Sequence, residues 1–254
     1  MSKDWEKAQI NEKSFWRDLE ENTEDKPIIT IEQSLRYLFR VLDRFDLKLS
    51  DLNEKILCDV GSGPAGVGMG LQYIHESGSS KPKKVISVDP LMDFYKSYKL
   101  IEEDSIFMQK AEKGEEISLD SSSIDFVLST NAVDHVDSPQ AVINEMARLV
   151  KTDGTCLIAV HVVYPIWSIF SGFLKYIDKN HPHHFTEKKF LKLTNSAFEK
   201  TTTCYRAQVF DDNPDFRLFG GRKQQGVTFL RRMQRWLSNF VLYSCYVQCH
   251  GPKV

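Results

Sequence analysis

Nowhere in its 254 residues does the chain hold an apolar run of 18, which excludes a membrane-spanning helix. The N-terminal stretch "MSKDWEKAQINEK" is too charged for the apolar region of a secretory signal. Net charge is also missing: the balance is −2, so no overall field draws the molecule to nucleic acid. Cysteines are few and odd in number, five in all. Cys58 and Cys156 sit inside apolar runs and read as buried thiols of a reduced, cytoplasmic protein. Cys245, Cys249 and His250 lack a fourth ligand at a suitable spacing, so no metal site is expected. No internal repeat or low-complexity tract appears. The charge that is present is local, acidic from Asp18 to Asp25 and basic from Arg222 to Arg235.

What is there is ordinary for a folded protein: 41% hydrophobic and 27% charged residues, with enough length to bury a core. Residues 1–25 are polar and helix-compatible, with Trp5 and Trp16 as apolar anchors. Leu35, Leu38, Phe39, Leu42 and Phe45 form one face of a following helix. "KILCDV" (55–60) reads as a buried strand and "PAGVGMGLQYIHES" as the helix after it, Pro64 in its first turn. "KKVISVD", "SIFMQK", "SIDFVLST" and "TCLIAVHVV" are further strands. Between the last two, "SPQAVINEMARLVK" is a helix capped by Ser138 with Pro139 at its first position, and Gly154 supplies the left-handed turn after it. Strand and helix alternate from 55 to 163, which predicts a mainly parallel sheet covered on both faces. Ligands of such sheets lie beyond the C-terminal strand ends. That directs attention to Asp59–Gly66, Asp89–Leu91, Ala111–Glu112 and Thr130–His135. Past 163 come an apolar helix in "YPIWSIFSGFLKYI", a helix after "HPHHFT" with Thr186 as N-cap, and two strands near 200–210 and 240–249.

The turn "CDVGSGPAGVG" carries glycines at 61, 63 and 66, the G-x-G-x-x-G spacing that lets a backbone wrap a nucleotide. A dinucleotide pyrophosphate rests on a helix N-terminus, where a carboxylate such as Asp59 is unwelcome. S-adenosylmethionine has no phosphate and carries a cationic ammonium and sulfonium, which a carboxylate at that position attracts. Asp89 can accept hydrogen bonds from ribose hydroxyls, as it would in either class of site.

From these residues on, the chain resembles the class I S-adenosylmethionine-dependent methyltransferases of the type 11 group. The resemblance rests on "DVGSGPAG", "VISVDP" and the ordered segment "IDFVLSTNAVDHVDSPQAVINEMARLVKTDGTCLIAV". It covers about 110 residues strongly and implies a Rossmann-like α/β sheet of seven strands, mainly parallel with an antiparallel last strand. Carried over residue by residue, it implies that Asp59, Gly61 and Gly63 contact the methionine part of S-adenosyl-L-methionine. Asp89 would hold the ribose, Pro90 or Leu91 would pack on the adenine, and Ala111 and Glu112 would meet the adenine edge. Asn131 would lie near the methionine carboxyl or the transferred methyl. Many members of the group carry Asp where Glu112 stands.

Methyl transfer to a hydroxyl needs a base, and histidine suits that role near neutral pH. His135, in "NAVDHVD", and the cluster His181, His183 and His184, in "NHPHHFT", are the candidates, His135 and His184 foremost. One domain over 1–254 is expected: an N-terminal helical cap (1–50), a cofactor-binding core (51–163), a helical insert over the acceptor (164–198) and C-terminal strands with a helix (199–254). The expected reaction is O-methylation of a small-molecule acceptor of saccharide or secondary-metabolite type. Neither nucleic acid nor stable membrane insertion is expected, peripheral membrane contact by the basic "RRMQRW" helix is left open, and the chain is taken as a monomer or homodimer. The competing readings are an NAD-dependent oxidoreductase and a methyltransferase-fold binding protein without catalysis.

Overall fold

The computed structural model describes residues 3–21, 29–96, 104–170, 182–209 and 238–253. Its centre is the sheet that the alternating pattern predicts. Strands β1 (Ile56–Val60), β2 (Lys84–Val88), β3 (Phe107–Lys110), β4 (Ile124–Thr130) and β5 (Val150–Val163) are parallel neighbours. The two-residue strand β6 (Phe185–Thr186) lies beside the end of β5. The chain closes with β7 (Phe198–Gln208) and β8 (Leu242–Pro252), which form an antiparallel pair. β8 inserts antiparallel between β5 and β7, so the order is β3-β2-β1-β4-β5-β8-β7. The sequence runs outward from β1 to β3 and then returns to the other side of β1. This reversal leaves a crevice at the C-terminal ends of β1 and β4, where such folds bind ligands.

The inner strands are buried on both faces, as parallel strands between helices must be. Leu57, Cys58, Asp59 and Val60 of β1 are all buried. On one face, Cys58, Val60 and Ile86 pack with Ile143 and Met146 of α5 (Pro139–Leu149) and Phe190 of α6 (Glu187–Ala197). On the other, Leu57, Val85 and Leu128 meet Leu38 of α2 (Ile31–Arg44) and Leu71 of α3 (Gly68–Glu76). A smaller cluster joins Trp16 of α1 (Lys3–Glu21) to Leu91, Met92 and Tyr95 at the short helix α4 (Met92–Tyr95).

Local chemistry sets the helix starts. Thr30 and Gln33 close a reciprocal capping box at α2. Ser138 caps α5 with Pro139 in its first turn, and Thr186 caps α6 through the Lys189 amide. Two expectations need correction. The helix expected from Pro64 begins at Gly68, because residues 64–67 are held in turns. Gly154 is not a left-handed helix stop: α5 ends at Leu149 and β5 starts at once. Gly154 is needed instead for close approach, since a Cβ there would sit 2.8 Å from the Asp125 carbonyl oxygen. The basic segment 222–235, most of the apolar insert and His181 lie outside the described residues. Among the described residues no helix is long and apolar enough to cross a membrane.

Candidate functional site

A cavity of about 360 Å³ opens over the crevice at the C-terminal ends of β1, β2 and β4. Its floor is the glycine turn. Gly61, Gly63 and Gly66 all have positive φ, at 73°, 59° and 50°, a region that side chains enter at a cost. Gly61 and Ser62 donate their amides to the Val88 carbonyl, at 2.8 and 3.2 Å, drawing the turn across the end of β2. A Cβ at Gly61 would lie 2.3 Å from that of Ala132, so the turns after β1 and β4 touch there. A Cβ at Gly63 would meet nothing within 4 Å, and Gly63 lines the cavity. Space at that position is therefore available to a ligand.

Asp89, at the end of β2, lines the cavity with Pro90 and Leu91. Its Oδ2 accepts from the Gly63 amide at 2.9 Å and its Oδ1 from the Leu91 amide at 2.8 Å. Burial pushes its carboxyl up to about 6, against the pull of those two donors. Each oxygen keeps a second lone pair, so a fixed carboxylate with spare acceptor capacity stands on the wall. Asn131 (φ 54°) and Ala132 follow β4, and His135 lies one turn on. The Asn131 amide donates to Ala159 at 2.8 Å and the His135 amide to Ala132 at 2.9 Å. His135 Nε2 is 4.0 Å from the carboxyl of Asp134, which is almost fully buried.

The structure brings Gly61, Gly63, Asp89, Pro90, Leu91, Asn131 and His135 to one cavity. Four predicted residues are not on its wall. Asp59 is 1% exposed, and its Oδ2 accepts from the Val67 amide at 2.9 Å. It fixes the glycine turn from beneath. Burial, with the charge of Asp89 adding, raises that carboxyl to about 7, while the Val67 amide opposes. Glu112 is turned to Lys110 and Ser118. Burial works to raise its carboxyl, but those donors outweigh it and hold it below the usual range. Ala111 is exposed beside it. The wall after β3 is made by Lys113, Gly114 and Glu115, one to three residues later than expected. His184 has buried ring nitrogens and lies off the wall. Its neighbour His183 places Nε2 2.9 Å from the Val136 carbonyl and stacks on Phe185, tying β6 to the His135 loop.

Sequence reasoning expected an N-terminal helical cap but did not name the residues of its inner face. Trp5, Gln9, Glu12 and Phe15 of α1 line the cavity from above. Their spacing is a helical stripe and was legible as one, but its middle is polar and so gave no apolar signal.

The model of the methyltransferase domain family matches residues 58–158, which hold the glycine turn, Asp89, Asn131 and His135. No curated protein sequence matches the chain. Among solved structures, the YcgJ protein of Bacillus subtilis is similar at 16% identity and a TM-score of 0.55, over 85% of this chain and 98% of that one. Geranyl diphosphate C-methyltransferase of Streptomyces coelicolor, in complex with S-adenosyl-L-homocysteine, is similar at 13% identity and a TM-score of 0.58, over 84% and 78%. A phosphoethanolamine N-methyltransferase of Haemonchus contortus, also with S-adenosylhomocysteine, gives 14% and 0.58, over 85% of this chain and 52% of that one. At these identities the likeness is one of fold.

Proposed function

We propose that this chain, an S-adenosylmethionine-dependent methyltransferase of the type 11 kind, methylates an oxygen of a small-molecule acceptor. The observation that carries the proposal is the single cavity that joins an acceptor carboxylate at Asp89, open space over Gly63, and an imidazole at His135. The residues fit the cofactor. Asp89 offers spare lone pairs for ribose hydroxyls, Leu91 offers an apolar face for the adenine, and the Gly61–Gly63 turn admits close approach. When bound, the cofactor supplies a methyl group already activated by its sulfonium charge. The protein's share is alignment, exclusion of water and removal of the acceptor proton.

His135 is the base in this reading. It takes the hydroxyl proton at Nδ1, the nitrogen away from Asp134. The carboxyl of Asp134, 4.0 Å from Nε2, favours the imidazolium that results. Asn131, held by its backbone bond to β5, orients the reacting end of the cofactor. The similar C- and N-methyltransferases named above act on geranyl diphosphate and phosphoethanolamine, which supports a small-molecule acceptor here. A saccharide or secondary-metabolite hydroxyl is the favoured class, with exposed Tyr164, just past β5, as a stacking surface.

Titration with S-adenosylhomocysteine tests the reading. The chain should bind it and not NAD(H), and Asp89→Ala should weaken binding by at least about tenfold, the loss of one charge-assisted hydrogen bond. His135→Ala should keep that affinity and lose about 10²-fold or more in methyl transfer from a labelled donor to a panel of hydroxylated small molecules. Binding of NAD(H) in place of S-adenosylhomocysteine would overturn it.

A further inference from the structure

The roof of the cavity is unusual for a packing helix. α1 is anchored by Trp16, 3% exposed, whose ring meets Tyr95 edge-on. One turn before that anchor the helix turns polar groups inward. Gln9 and Glu12 both line the cavity. The Gln9 Oε1 atom is buried and has no hydrogen-bond partner among the described residues. A buried acceptor left unpaired is costly, and a sequence optimised only for packing would not keep one. Glu12 is held in place because its Oε1 accepts from the Trp16 indole N–H at 2.8 Å. So held, its charge reaches Asp89 and helps raise that carboxyl. Glu12 and Asp89 thus share one cavity. At the far end Lys113 lies over the Trp5 ring, 4.4 Å from its centre, beside Gly114.

We infer that α1 is part of the cofactor site, with Gln9 and Glu12 binding the adenosyl group. This rests on the cofactor reading above. Position selects that end of the molecule. The ammonium of the methionine part would also be drawn to a carboxylate, but Glu12 acts on Asp89, the acid read here as the ribose acceptor. The vicinal diol and exocyclic amine of an adenosyl group bring donors to three acceptors in the cavity: Gln9 Oε1, Glu12 and Asp89.

The test uses the full chain, two probes and two variants. S-adenosylhomocysteine and 5′-methylthioadenosine share the adenosyl group, and the second lacks the amino acid. Gln9→Leu should weaken both by the same factor, about tenfold. It should leave the melting temperature of the ligand-free chain equal or higher, since it removes an unpaired buried oxygen. Opposite signs in affinity and stability are not expected of a residue that only packs. Glu12→Gln keeps an oxygen for the Trp16 indole and should also weaken both probes equally. Unchanged affinities would overturn the assignment. So would a loss confined to S-adenosylhomocysteine, which would place the contacts at the amino-acid end. If the unaltered chain bound neither probe, the cofactor reading itself would fall, and this assignment with it.

Discussion

Gly63 and Gly66 stand three residues apart in the same turn, both at positive φ, yet their surroundings differ. A Cβ on Gly66 would lie 2.2 Å from Asp59 Oδ2 and 2.9 Å from the Ser62 Cβ, whereas one on Gly63 would touch nothing. Gly66→Ala must push away the carboxylate that holds the Val67 amide, and should cost about 3 kcal/mol or more in urea unfolding. Gly63→Ala carries only the left-handed strain, about 1 kcal/mol, but puts a methyl group where a ligand would approach. It should therefore lose S-adenosylhomocysteine affinity out of proportion to stability. Equal stability losses in the two variants would show that the spacing between Asp59 and Gly66 is not what the turn depends on. The motif announces three glycines alike. Only the packing separates the one that must clear a neighbour from the one that must clear a ligand.

At the scale of elements, α1 has a single deep anchor among its described side chains. Ile10 is 67% exposed, Phe15 at the cavity is still 50% exposed, and among the described side chains of the helix only Trp16 is fully committed to the interior. The helix should therefore open without the sheet. Trp16→Ala should speed amide exchange across Lys3–Glu21 while β1 and β4 keep their protection, and should weaken S-adenosylhomocysteine binding through loss of the roof. Parallel loss of protection in β1 would show that α1 is part of the cooperative core. β1 to β5, α5 and α6 were legible because period, caps and Pro139 agree, whereas the two-residue β6 was not. α1 was legible as a helix of a cap, with Trp16 as anchor, but the residues of its wall were not, because a polar inward face has no apolar period. The "HPHHFT" segment misled for a related reason: His183 serves a backbone carbonyl across the sheet, and local sequence does not show a partner 47 residues away.

Across the whole molecule, the raised carboxyls act on stability in one direction. Asp59, near 7, titrates when folded well above its unfolded value near 3.8. Below about pH 4 both states hold the proton, and the contribution is fully present. As pH rises toward 7 the unfolded chain releases the proton first, so stability is lost across that window. Glu145 and Glu187, held low by Arg148 and Arg206, act oppositely and lose their contribution as pH falls through the unfolded carboxylate range. His250, depressed by burial, also opposes on the acid side. A comparison of wild type with Asp59→Asn cancels these other groups. The wild type should lose about 1–3 kcal/mol more than the variant between pH 5 and 7.5. Parallel pH profiles would show that Asp59 titrates normally.

The sequence by itself determined the alternation of strand and helix from 55 to 163, the glycine turn, and the acid that ends β2. It could do so because those features are written in neighbouring residues, where periodicity, turn chemistry and capping operate. Only the tertiary structure decided which groups share the cavity. Asp59 and Asp89 end adjacent parallel strands and look equivalent in one dimension. Folding buries the first beneath the turn and sets the second on the wall. The same packing moved the wall after β3 from Glu112 to Lys113–Glu115 and brought Gln9 and Glu12 over a wall whose first residue, Val60, comes 51 residues after Gln9. Burial and orientation depend on which elements meet, and no short stretch of the chain carries that information.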